Sequence, residues 1–222
     1  MKLKQDILQS QPHRVQKLFT QWENYMDAHV AFWSLPGNLD IHTEAHSARV
    51  LLHALRIGHL RNLSDDAMTA LAHTCIFHDT RRKDNYRDIG HGDRAAEYYA
   101  DFCKLQSQEN KTSISFYQEA YDAMKYHDRN DDIGDKAIAV SHIGNDEGTT
   151  IGQEIYHIFK DADALDRYRL GDWCLDERFL RTPESKNMTK FALDLVLCTT
   201  PPDELKKVWD LTLPFKPKNS NH

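Results

Sequence analysis

Residues 64–79 read SDDAMTALAHTCIFHD, and this run sets the class of the fold. Ser64 followed by Asp65 and Asp66 has the form of a helix start: a hydroxyl to cap the first free N–H groups, then carboxylates that favour the positive end of the helix dipole. Leu71, Ala72, Cys75, Ile76 and Phe77 then form an apolar stretch for packing. The pattern predicts a helix over 64–78 whose buried C-terminal end carries His78-Asp79. Neighbours on a helix point about 100° apart, yet both can converge on one ion beside the helix end. A carboxylate there opposes the helix dipole and gains from a nearby cation. Taken alone, the pair also fits a core histidine followed by a C-terminal Asp.

The same reading extends outward. Residues 15–33 repeat apolar side chains every three or four positions, through Val15, Leu18, Phe19, Trp22, Tyr25 and Met26, before Pro36-Gly37-Asn38 breaks the chain. A helix is expected over 44–57, with Gly58 as its stop. Residues 81–92 are polar and predict a loop. Further helices are expected over 93–105, 114–127, 151–170 and 184–197, the last with Pro183 in its first turn behind Thr182 as cap. Pro201-Pro202 ends it, and 203–209 forms a short final helix. Period-two strands are missing from the pattern. The expectation is an all-α fold: one helical domain over 1–213 and a loose tail over 214–222.

Composition narrows the function. The chain has 222 residues, with 28 Lys and Arg against 34 Asp and Glu, for a net charge of −6. That argues against bulk nucleic-acid binding held by basic charge. No apolar run approaches a membrane span, and the polar start lacks the apolar core of a signal peptide, so the chain is expected to begin near Met1. The four cysteines are widely spaced without a CxxC pair, which suits a reducing compartment and a cytoplasmic location. Cys75 and Cys198 sit in apolar runs and read as core residues.

The chain holds 13 histidines, and their positions matter more than their number. His42 and His46 stand four apart, on one face if both are helical. Asp161 and Asp163 follow Phe159 late in an apolar helix, where an unpartnered carboxylate is costly. Two histidines, an Asp and a further Asp from three helices make a mixed nitrogen and oxygen set suited to Mn, Fe, Ni, Co, Zn or Mg. His53, His59, His73 and His157 lack a partner pattern and read as surface or capped residues. Asp128-Arg129-Asn130-Asp131-Asp132 resembles a calcium loop only superficially, since the sixth-position Gly and the closing Glu are missing.

The order H…HD…D, here His46, His78-Asp79 and Asp163, resembles the HD superfamily of metal-dependent phosphohydrolases. His46-Ser47-Ala48-Arg49-Val50 is similar to that family's first-histidine helix, and Lys160-Asp161-Ala162-Asp163 to its last-aspartate helix. The likeness spans 42–169. It implies an all-helical fold with His46, His78, Asp79 and Asp163 as ligands of one divalent metal. A narrower likeness, carried by Arg82, Asp84, Asp88 and His91-Gly92 after the HD pair and by Lys160 to Arg169, points to a subgroup of small HD proteins. The phosphodiesterase domain of SidE-type ubiquitin-modifying effectors resembles it distantly.

The resemblance implies hydrolysis of a phosphate ester or anhydride in a nucleotide-like small molecule by metal-activated water, with Asp79 ligating and orienting the water. His91 and His127 would stand beside the site, binding a second ion or protonating the leaving oxygen. His142, in Ser141-His142-Ile143-Gly144, competes for the role given to His127. Arg82 would clamp phosphate, with Arg81 and Lys83 weaker candidates. Arg49 reads as structural, pairing with Asp166 or Glu44. The alternatives are a phosphodiesterase directed at ADP-ribosyl groups, whose partner would be an ADP-ribosylated protein, and a non-catalytic nucleotide-binding sensor. Oligomeric state is not legible.

Overall fold

A computed structural model describes residues 5–35, 41–108 and 114–217. Its elements are α1 (Gln5–Gln9), α2 (His13–His29), α3 (Glu44–Leu60), α4 (Asp65–Phe77), α5 (His91–Gln108), α6 (Gln118–Tyr126), α7 (Asp131–Ser141), α8 (Asp146–Leu165), α9 (Pro183–Lys186), α10 (Thr189–Thr199) and α11 (Pro202–Thr212). Short 3-10 turns cover Asp166–Leu170, Glu177–Phe179 and Leu213–Phe215. No strand occurs among the described residues, so the fold is all-α. No described helix is long and apolar enough to cross a membrane.

The core is built around α3, which packs on α2, α4 and α8, while α6 packs on α5 and α8. α3 buries residues on every side, among them Val50, Leu51, Leu52, Leu55 and Ile57, as a central helix must. α4 starts where expected: the Ser64 side chain accepts a hydrogen bond from the Ala67 amide. Thr182 likewise accepts from the Ser185 amide, with Pro183 in the first turn of α9. One contiguous apolar cluster runs from Val15 to Leu195.

Several boundaries differ from the pattern-based reading. α2 stops at His29, and Val30 turns extended, so Trp33 lies outside the helix. The expected break at Pro36-Gly37-Asn38 lies outside the described residues. Gly58 does not end α3 but sits within it: a Cβ there would lie 2.6 Å from Met68 Sδ and 3.2 Å from methyl carbons of Leu63 and Leu71, so the gap lets α4 approach. α6 begins only at Gln118, because Tyr117 is extended and its amide donates to the Tyr99 hydroxyl. The segment expected over 184–197 divides into α9 and α10, and the 151–170 segment begins earlier, at Asp146, and tightens into a 3-10 turn after Leu165. α7 was not foreseen, since it buries only Gly134 and Ile138 and leaves almost no apolar period to detect. Within the expected tail, Pro214 and Phe215 belong to a 3-10 turn, and 218–222 lie outside the described residues.

Two side-chain expectations are also corrected. Cys198 is exposed, because it falls on the outer face of α10, whereas Cys75 is buried as expected. His53 and His73 are core residues, not surface ones. The His73 ring shares a hydrogen bond with the Tyr99 hydroxyl and packs edge-on against Trp22. The His53 ring meets Phe191, and neither of its nitrogens has a hydrogen-bond partner among the described residues.

Burial pushes the His53 ring down to about 3. Because this lies below the unfolded value of about 6.5, the unfolded chain takes up more protons between the two, and stability is lost as pH falls from 6.5 towards 3. Replacing His53 by Leu removes two unpartnered buried nitrogens and should raise stability by about 1 kcal/mol. Urea unfolding at pH 7 and pH 5 should show the variant more stable at both and less sensitive to acid. A less stable variant with the wild-type acid slope would contradict this account.

Candidate metal centre

The ends of three helices supply a recurring device. His78 follows the last residue of α4, and its Nδ1 donates to the Cys75 carbonyl at 2.8 Å. His127 follows α6, and its Nδ1 donates to the Met124 carbonyl at 2.6 Å. His91 opens α5, and its Nδ1 donates to the Asp88 carbonyl at 2.6 Å. His46, in the first turn of α3, donates from Nδ1 to Asp166 Oδ2 at 2.7 Å. A carbonyl can only accept, and so can an ionised carboxylate, so in all four rings Nδ1 carries a proton and Nε2 is the nitrogen left to take a second proton or a metal ion. Such an anchor on the outer nitrogen is what a histidine ligand needs to hold its tautomer and orientation.

The four Nε2 atoms converge. His46 and His78 face each other at 3.2 Å, and His91 and His127 at 2.8 Å. Facing lone pairs at these distances repel unless a proton or a metal ion lies between or beside them. Asp79 separates the two pairs. Its Oδ2 lies 3.4 Å from His46 Nε2 and 3.6 Å from His78 Nε2, while its Oδ1 lies 3.3 Å from His91 Nε2 and 4.0 Å from His127 Nε2. Asp163 Oδ1 stands 3.3 Å from His46 Nε2. Ligands about 2.1 Å from a common ion lie roughly 3.0–3.4 Å apart, so these spacings fit coordination. Among the described residues, three overlapping groups could hold an ion: His42, His46 and Asp79; His46, His78 and Asp163; and Asp79, His91 and His127.

The residues singled out from the sequence, His46, His78, Asp79, Asp163, His91, His127 and Arg82, thus meet in one place. Of the two paired alternatives, His127 faces His91, whereas His142 caps the end of α7 and belongs to none of the three groups. Asp163 faces the histidines, whereas Asp161 is wholly buried elsewhere and accepts hydrogen bonds from the Arg181 and Thr182 amides and the Thr182 and Ser185 hydroxyls. Asp161 therefore docks the start of α9.

Other side chains depart from expectation. His42 does not share a helical face with His46, because α3 begins only at Glu44; it reaches the centre from the preceding bend and puts Nδ1 2.7 Å from Asp79 Oδ2. Arg82 is buried and committed, donating to Asp79 Oδ1, His91 Nε2 and the backbone oxygens of Asp84 and Tyr86, so it braces the loop over 81–90. Arg81 turns away and stacks on Tyr98. The Arg49 pairing with Asp166 is present at 2.6 Å. Sequence reasoning missed that Asp166 also orients His46; the signal was the buried carboxylate three residues after Asp163.

These charges shape one another. Burial and Arg169 disfavour a charged His46, yet Asp163, Asp166 and Asp79 outweigh them and push it up to about 9. Burial, with His91 and His78, pushes His127 down to about 3. Burial holds His42 down to about 4 against the pull of Asp79. Asp79 and Asp163 lie well below the usual carboxylate range: burial opposes this, but the facing histidines prevail. The centre opens on a cavity of about 600 Å³, lined by His42, Asp79, His91, His127 and Asp163 with several arginines. Comparison of the chain with protein-family models, curated proteins and solved structures gives no match.

The approach of α5 to α6 depends on Gly92, where a Cβ would lie 2.6 Å from the Met124 carbonyl oxygen and 3.1 Å from His127 Nδ1. Gly92→Ala should cost about 1–3 kcal/mol in a denaturant melt, as overpacking does. An unchanged melting midpoint would show that the two helices have slack.

Because His46 is raised to about 9, the metal-free centre keeps its proton through neutrality. The stability this proton gives is present below the unfolded value of about 6.5 and is lost as pH rises through about 9. Metal must displace the proton, so affinity should increase across that window, with proton release visible by calorimetry in buffers of different ionisation enthalpy. Affinity independent of pH from 6.5 to 9 would contradict it.

Proposed function

We propose that this protein is a metal-dependent phosphohydrolase or phosphodiesterase acting on a nucleotide-like small molecule. The observation that carries the reading is the convergence of four histidine Nε2 atoms, each anchored through Nδ1, on the two oxygens of one buried Asp. It is joined by the order His46, His78-Asp79, Asp163, which resembles the HD superfamily.

His46, His78, Asp79 and Asp163 would hold a divalent ion of the Mn, Fe, Ni, Co, Zn or Mg class, and Asp79, His91 and His127 have the donors for a second. Such an ion supplies a Lewis acid for a phosphoryl oxygen and lowers the pKa of a water molecule. Asp79 presents one oxygen to each histidine pair and so aligns whatever the two halves bind. Asp166 and Arg49 lock the His46 ring from behind. Asp79 raises the His91 proton affinity against burial, the direction that a proton donor to a leaving oxygen needs. Arg82 fixes His91 and Asp79 relative to each other.

Hydrolysis of bis(p-nitrophenyl) phosphate, assayed with each ion in turn, tests the reading. Asp79→Ala and His78→Ala should each lower kcat by about 10³-fold or more while the helical circular dichroism is kept, because the ligands act as a unit. His142→Ala, outside the centre, should retain full activity. Turnover persisting in both ligand variants would refute the assignment. Metal content by mass spectrometry on the same proteins names the ion.

A further inference from the structure

Five arginines line the cavity over the metal centre, and they fall into two kinds. Arg82, Arg129 and Arg169 are paired with carboxylates: Asp79, Asp93 and Asp166 respectively. Arg87 and Arg167 are not. The Arg87 side chain has no hydrogen bond or ion pair to a described residue, its carbonyl alone accepting from the Ile89 amide. Arg167 donates from Nε to the Cys174 carbonyl at 2.9 Å and pairs with no described carboxylate. Both are exposed and carry a free guanidinium edge. Arg87 comes from the loop over 81–90, and Arg167 from the 3-10 turn after α8, so the cavity is flanked from two separate elements.

The chain as a whole is acidic, yet this wall is not. Its aspartates, Asp79, Asp88, Asp128 and Asp163, are outnumbered by its arginines, and each is already engaged by a histidine, an arginine or a backbone amide. A divalent ion would add two further positive charges. The loaded cavity would then carry more positive charge than the single negative charge of a simple phosphodiester neutralises.

Building on the phosphohydrolase reading above, we infer that the substrate bears a second phosphoryl group next to the one at the metal centre, and that Arg87 and Arg167 bind it. A phosphoryl group spreads its charge over several oxygens and can engage two guanidinium forks at once. The cavity volume of about 600 Å³ has room for a nucleoside diphosphate unit. The substrate class is therefore a nucleotide with adjacent phosphates rather than a monophosphate diester.

The test is calorimetric binding of ADP and of AMP, in the presence of free Mg²⁺, to the wild-type protein and to the Arg87→Met/Arg167→Met double variant. The nucleoside is common to both ligands, so the ratio of affinities reports the second phosphate. Wild type should bind ADP at least about tenfold more tightly than AMP, and the double variant should reduce that ratio to within about threefold of unity, as loss of two charge-assisted contacts requires. The Arg87→Met/Arg167→Lys variant should restore part of it. Equal affinities in wild type, an unchanged ratio in the double variant, or binding of neither nucleotide would each overturn the inference. Hydrolysis of bis(p-nitrophenyl) phosphate is scored separately on wild type: its absence beside a preserved ADP preference would remove the phosphohydrolase reading and leave the diphosphate site standing.

Discussion

The burial of Asp79 governs the centre of this molecule. A carboxylate almost withdrawn from water is costly unless opposite charge or hydrogen-bond donors surround it. Here His42, His46, His78, His91, His127 and Arg82 all approach its two oxygens. They come from α3, α4, α5, α6 and the segments between them, so the packing of these helices and the solvation of one carboxylate are a single problem. Displacing any one helix would leave a buried charge with fewer partners.

The way the histidines are held is economical in another sense. A helix ends with carbonyl groups that lack intrahelical partners. At the ends of α4 and α6, His78 and His127 bond such carbonyls three residues back, satisfying them and aiming Nε2 at Asp79. Helix termination and ligand orientation are thus performed by the same hydrogen bond. At α3 the anchor is Asp166 instead, a wholly buried carboxylate kept ionised by Arg49 and His46 against the cost of burial. This second carboxylate ties the 3-10 turn after α8 to the central helix. That turn also carries Arg167 and Arg169 to the rim of the cavity.

The sequence was most legible where a local rule had a single answer. Ser64 and Thr182 cap helices where their hydroxyls stand before acidic or proline-led first turns. The apolar run before His78-Asp79 buries that pair, and the separation of His46, HD and Asp163 into different helices lets them meet. It was least legible where apolar periodicity was thin or a partner came from far along the chain. α7 buries too little to leave a pattern, and His53 and His73 are core residues whose neutral rings look polar in a sequence.

By itself, then, the sequence determined the helical class, the main apolar faces and a set of His and Asp residues with metal-binding chemistry. These follow from side-chain identity and local spacing, which need no knowledge of the distant chain. Only the tertiary structure decided between Asp161 and Asp163, two residues apart and so on nearly opposite sides of α8. Only it separated His127 from His142, brought His42 in from outside the helix, and turned Arg82 into a brace. The reason is physical: a ligand is defined by where its lone pair points, and that direction is set by the helix packed behind it and by the acceptor that holds its other nitrogen.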